Sequence, residues 1–87
     1  MSDVIDNKAE SRFELGIDGS MAVAEYRIVG DTIYFTHTET PSALQGKGVA
    51  SRLIRAALTN AKERGLKIAP RCSFVVNDVA RHPEFQS

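Results

Sequence analysis

Polar and apolar residues alternate from Arg12 to Leu15, as on a strand with one buried face. Gly16-Ile17-Asp18-Gly19 follows, and Asp-Gly is a strong signal for a tight hairpin turn. Alternation resumes from Met21 to Val29. The even positions Ala22, Ala24, Tyr26 and Ile28 form the expected core face, and Met21, Val23, Glu25 and Arg27 the other. Gly30-Asp31 marks the next turn. Thr32 to Glu39, rich in β-branched and aromatic residues, reads as a third strand that Pro41 ends, because a ring without an N–H cannot extend a ladder. These three runs predict an antiparallel meander.

The period then changes. From about Gly48 to Arg64, Val49, Leu53, Ala56, Ala57 and Ala61 fall on one helical face, and Ile54 and Leu58 widen it. Gly65 stands where a left-handed helix cap is expected. Leu66 to Cys72 predicts a short strand, which a right-handed crossover lays parallel to an earlier one. Ser73 to His82 predicts a second helix, with Ser73 as N-cap and Pro83 as its stop, although Val75, Val76 and Val79 lower its propensity. The fold class expected is α+β: a three-stranded antiparallel meander, a helix, a parallel strand and a short C-terminal helix. Met1 to Glu10 is polar without clear periodicity and reads as a flexible segment (1–10) ahead of a single domain (11–87).

Composition changes little in this picture. At 87 residues, 43% hydrophobic and 25% charged, the chain is an ordinary small globular domain with a modest core. It has no apolar run approaching the roughly 20 residues that span a bilayer, no secretory signal pattern, and a single cysteine, which together predict a soluble cytoplasmic protein. Net charge is zero but lopsided. Residues 1–44 carry three Lys/Arg against eight Asp/Glu, and residues 45–87 carry eight against three. The basic half suits a polyanionic ligand and the acidic half a cationic one. Nucleic acid is disfavoured, since no dense basic run with interleaved aromatics occurs. The two histidines and one cysteine lie far apart in sequence, so no metal site is expected.

The charge break falls at Gln45-Gly46-Lys47-Gly48-Val49-Ala50, where strand gives way to helix. Two glycines before a helix start free the backbone to approach an anion, which the unpaired amides and the helix dipole attract. A P-loop needs Gly, four residues, then Gly-Lys-Ser/Thr, but Pro41 stands in place of the first glycine and Gly48 follows Lys47. The dinucleotide fingerprint fits at Gly46 and Gly48 only, with Ser51 in its third place. Gln45-x-x-Gly48-x-Ala50 resembles the Q/R-x-x-G-x-G/A signature of the GNAT acetyltransferases. With the run from His37 to Gly48, Cys72-Ser73-Phe74-Val75 and Ala80-Arg81-His82-Pro83-Glu84-Phe85, the chain is similar from about residue 12 onward to the very small single-domain GNAT group often called YjdJ-like. It departs at Ser73, where that group often has Pro, at Asp78, where an aromatic is common, and at Phe85, where Tyr is usual.

The resemblance implies acetyl-CoA as co-substrate. The strand from Thr36 to Thr38 would pair its backbone with the pantetheine arm. The amides of Gln45, Gly46, Lys47, Gly48, Val49 and Ala50 would hold the pyrophosphate, with Lys47 adding charge. Cys72, just ahead of a helix, has two open readings as a residue of the site: an acetyl acceptor with a lowered pKa, or a side chain lining the site while an amine attacks directly. An inert buried thiol is the bland alternative. His37 is a candidate base for the amine or the thiol, while His82 is a candidate cofactor contact or helix cap. Glu39 is a candidate to orient a base or attract an amine, with a solvated carboxylate the equal alternative.

Larger relatives insert two helices between their first two strands to cover the acceptor. Here only Gly16-Ile17-Asp18-Gly19 is expected to join them, so the acceptor side should be open, as for an amine on a protein or a partner that completes the pocket. The function expected is an N-acetyltransferase. The alternatives are a non-catalytic CoA-binding regulatory module and, behind it, an interaction domain without a nucleotide ligand.

Overall fold

The computed structural model describes residues 4–82. The expected helix stop at Pro83 and the Phe85 position lie outside them. Strands β1 (Ile5–Asn7), β2 (Arg12–Ile17), β3 (Ser20–Val29), β4 (Thr32–Glu39) and β5 (Lys67–Pro70) form one sheet in that order. Helix α1 (Val49–Glu63) links β4 to β5, and α2 (Ser73–Arg81) follows. The first four strands are antiparallel and β5 runs parallel to β4, so the α+β class holds.

One expectation is corrected. The stretch read as flexible contains β1, which pairs with β2 through Ile5↔Glu14, Asp6↔Phe13 and Asn7↔Arg12. Three residues are too few to show a period, and polar bonds secure this strand. Tyr26 Oη donates to Asp6 Oδ1 at 2.6 Å, Arg64 Nη1 reaches Asp6 Oδ2 at 3.4 Å, and Asn7 Nδ2 donates to Glu14 Oε2 at 3.0 Å. The first two strands are therefore joined by a turn at residues 8–11, not by Asp18-Gly19, which turns β2 into β3. Asp18 and Gly19 both have positive φ (51° and 78°), as a tight two-residue hairpin requires.

The core forms where the alternation put it. Phe13, Leu15, Ala22, Ala24, Tyr26, Ile33 and Phe35 face Leu53, Ile54, Ala57, Leu58 and Ala61 of α1, and Val75 of α2 joins them. The Phe13 ring lies 5.1 Å from Tyr26 and 6.3 Å from Phe35. Ala56 is only half-buried and Ile28 is partly exposed at the sheet's far end. Helix α1 stops at a Schellman cap: Gly65 (φ 74°) donates to Lys62 O at 3.0 Å, and Leu66 to Ala61 O at 2.9 Å. Helix α2 starts at Ser73, as expected, but Ser73 is not its cap. The N-cap is Cys72.

Asp6 is the clasp for β1, and its removal leaves the Tyr26 hydroxyl and Arg64 without their carboxylate. Asp6→Ala should cost about 1–3 kcal/mol, read as a lower urea midpoint at unchanged m. Burial first, and then the bond to Asp6, push the Tyr26 phenol up to about 12. Since folding favours the neutral phenol, its contribution to stability is complete below pH 10, the unfolded value, and falls as pH rises towards 12. A pH series of unfolding curves should show that decline in the wild type and a smaller one in Asp6→Ala.

Candidate functional site

The site begins where β4 loses a partner. Glu25 of β3 pairs with His37, while the next residue, Tyr26, pairs with Phe35, so Thr36 is an extra residue in β4. This β-bulge bends the strand and shifts its alternation. Before it, Ile33 and Phe35 face α1. After it, Thr38 does so, opposite buried Ala24, while His37 shares the opposite sheet face with Glu25. On the other edge, β5 pairs only with Thr32 to Phe35, and the Arg71 N–H bond to Phe35 O at 2.9 Å is the last link. Beyond it, among the described residues, no strand covers the β4 edge from Thr36 to Glu39. Thr36 Oγ1 is turned back to Glu25 O at 3.4 Å.

Cys72 enters this gap. Its Sγ lies 3.6 Å from Thr38 Oγ1, at the N-cap of α2. Burial pushes the thiol up, but hydrogen bonds from the Thr38 hydroxyl and the Val75, Phe74 and Thr38 backbone outweigh it, and the net pKa lies below the ordinary thiol value. His37, expected as its base, is not brought to it. The His37 ring points to the outer face, exposed, with Nε2 3.5 Å from Glu39 Oε2.

A short 3-10 turn, Ser42–Leu44, carries the chain from β4 into the glycine loop, pinned by Leu44, which is buried in the core. Gln45 closes the loop: its N–H donates to Ser42 O at 3.3 Å and its Nε2 to Thr40 O at 3.2 Å. The Gln45 amide, expected on a ligand, is thus committed to the loop itself. Gly46 (φ 78°) and Gly48 (φ 71°) hold left-handed backbone conformations, and a Cβ added at either would meet no atom within 4 Å. The loop therefore needs glycine for its angles, and the space above it is open. Gly48 is the N-cap of α1. No side chain caps this end and its first turn holds no acidic residue. The amides of Val49, Ala50 and Ser51 precede the first intrahelical bond, Arg52 N–H to Gly48 O at 3.1 Å. Lys47 is exposed beside them.

These parts share a cleft of about 370 Å³ lined by Thr40, Leu44, Gln45, Gly46, Gly48, Val49, Ala50, Ser51 and Phe74. Thr40, Leu44, Ser51 and Phe74 are additions to the site residues expected from sequence. No local signal marked Phe74, because neighbouring helix residues can both be buried, as Leu53 with Ile54 and Ala57 with Leu58 are in α1. His82, expected on the cofactor, does not line the cleft. Arg55 Nη2 donates to its Nε2 at 2.9 Å, so Nδ1 carries the proton and donates to Asp78 O, also at 2.9 Å. The imidazole joins α2 to α1. Asp78, at the position where the resembling group carries an aromatic, is 7% exposed, and its Oδ2 has no hydrogen-bond partner, 3.7 Å from His82 Nδ1.

A sequence profile of the GCN5-related N-acetyl-transferase family matches residues 12–87. Protein NATD1 of Danio rerio is 32% identical over 83 residues, covering 92% of this chain and 76% of its own. Its Homo sapiens counterpart is 32% identical over 80 residues, covering 88% and 71%. The solution structure of a GCN5-like protein of Staphylococcus aureus superposes with a TM-score of 0.72 at 30% identity, covering 98% of this chain and 86% of that one. With the bulged β4, the β4–β5 gap and the glycine loop ahead of α1 in place, the chain belongs to the GCN5-related N-acetyltransferases.

Proposed function

We propose that the protein is an acetyl-CoA-dependent N-acetyltransferase. The observation that carries this is continuity. The glycine loop and the uncapped start of α1 line a cleft that also reaches Thr40, next to the open edge of β4 where Thr38 meets Cys72. An anion bound at Gly46–Ser51 meets backbone donors and the positive end of a 15-residue helix, with Lys47 beside it. The arm of the cofactor then lies along the uncovered backbone of Thr36 to Thr38, which brings its thioester to Cys72. Acetyl-CoA combines a diphosphate, an amide-bearing arm and a reactive carbonyl in that order.

In the transfer, the acceptor nitrogen bonds to the acetyl carbon, the carbon–sulfur bond breaks, and the thiolate of CoA leaves with the proton that the amine gives up. With its lowered pKa, Cys72 is placed to take the acetyl group first, releasing CoA and then passing the acetyl to the amine. The exposed His37–Glu39 pair on the outer sheet face is turned away from Cys72, so the proton leaves with the CoA thiolate and not through His37. The turn at residues 8–11 is too short to roof that face, which suits an amine on a bulky acceptor such as a protein.

Titration calorimetry should show that the wild type binds both CoA and acetyl-CoA. Gly48→Val should weaken both more than tenfold, since its Cβ and left-handed φ disturb the amides that face the phosphates. No heat with either ligand would sink the proposal. Binding without turnover of any amine would favour the regulatory module. After mixing with acetyl-CoA, intact-mass analysis should show one added acetyl group that Cys72→Ser abolishes. If CoA binds and no adduct forms, transfer is direct. In Thr38→Val the thiol loses a bond that favours its charged form, so the thiolate absorbance should appear at higher pH than in the wild type.

A further inference from the structure

The core joins one face of the sheet to α1 and to Val75 of α2. Among the described residues, no element lies over the other face. An antiparallel sheet face that meets water normally carries polar side chains. This one departs from that. Strand β3, the middle of five, presents Met21, Val23, Glu25, Arg27 and Val29 there, alternating with buried Ala22, Ala24 and Tyr26. Met21 is 44% exposed and Val29 57%. Ile5, in the row of Glu14 and Val23, adds a third large exposed apolar side chain to the same face. From Val23 to Val29 the outer positions read apolar, acidic, basic, apolar. Glu25 and Arg27 are exposed, and neither is held in an ion pair by another described residue. Such an order is its own complement when reversed.

We propose that this face binds a second copy of the chain, about a two-fold axis that crosses β3 at Tyr26. The axis sets the two β3 strands antiparallel. Glu25 then meets Arg27 of the other copy, Arg27 meets its Glu25, and Val23 and Val29 close both ends. Stacked sheets stand about 10 Å apart, within the combined reach of a glutamate and an arginine. Stacking with the strands parallel would set Glu25 on Glu25, so the charges select one arrangement. With strands about 4.8 Å apart and about 3.3 Å per residue, the face offers roughly 500 Å² per copy, against about 800 Å² in a standard interface. The dimer should therefore be weak, and weaker still in salt. Glu39 lies in the row of Val23, at the border of the contact, so the end of the β4–β5 gap stays within reach of an acceptor. The contact uses no residue of the cleft and stands apart from the cofactor assignment.

Sedimentation velocity of the whole chain, from micromolar to millimolar, should show a monomer–dimer equilibrium that moves to monomer as salt rises. Glu25→Arg and Arg27→Glu each bring like charges together and should each raise the dimer Kd about tenfold or more. Both positions are exposed, so each variant should keep a cooperative unfolding transition. An equimolar mixture of the two variants should dimerise again, because the opposite charges then face one another across the axis. The double exchange Glu25→Arg/Arg27→Glu should restore the dimer in a single chain. A wild type that stays monomeric throughout would overturn the proposal and leave the face to a bulky acceptor. Dimers that persist in both single variants would overturn it too, since the contact would lie elsewhere, as would folded variants whose mixture stays monomeric.

Discussion

The early end of one parallel ladder organises this molecule. Strand β5 can follow β4 only as far as Phe35, because Thr36 is an extra residue that turns β4 aside. Past that point the two strands part, and the chain leaving β5 bonds once more, through Arg71, before Cys72 begins a helix. One inserted residue thus opens an unpaired backbone edge, brings Thr38 round to the thiol, and sends His37 to the opposite face. In a strand with unbroken alternation, Thr38 and His37 would exchange faces.

Much of the frame was legible in the sequence, because long elements repeat their signal. The fifteen residues of α1 bury Val49, Leu53, Ala57 and Ala61 as their spacing indicates, and β3 buries Ala22, Ala24 and Tyr26. The Asp18-Gly19 turn and the Gly65 cap declared themselves through backbone angles that few other residues adopt. Strand β1 did not, since its hold on the sheet comes from a carboxylate that bonds residues 20 and 58 positions away. Only the folded chain brings Asp6, Tyr26 and Arg64 together.

The site was legible at its loop and not at its chemistry. Gly46 and Gly48 adopt the angles expected of them, and the helix behind them begins without a cap. No local pattern marked the bulge, so the pairing of Cys72 with Thr38, and not with a histidine, could not be read from spacing. His82 shows a second reason. Its ring is spent on the contact between α1 and α2, through Arg55 on one nitrogen and the Asp78 carbonyl on the other.

The two borders of the sheet have a consequence for solution behaviour. One outer strand has three residues and the other has four, the last of them a proline that offers no N–H. Neither presents a row of backbone groups long enough to template a neighbouring chain. The protein can therefore keep an open gap inside its sheet while remaining guarded against edge-to-edge aggregation.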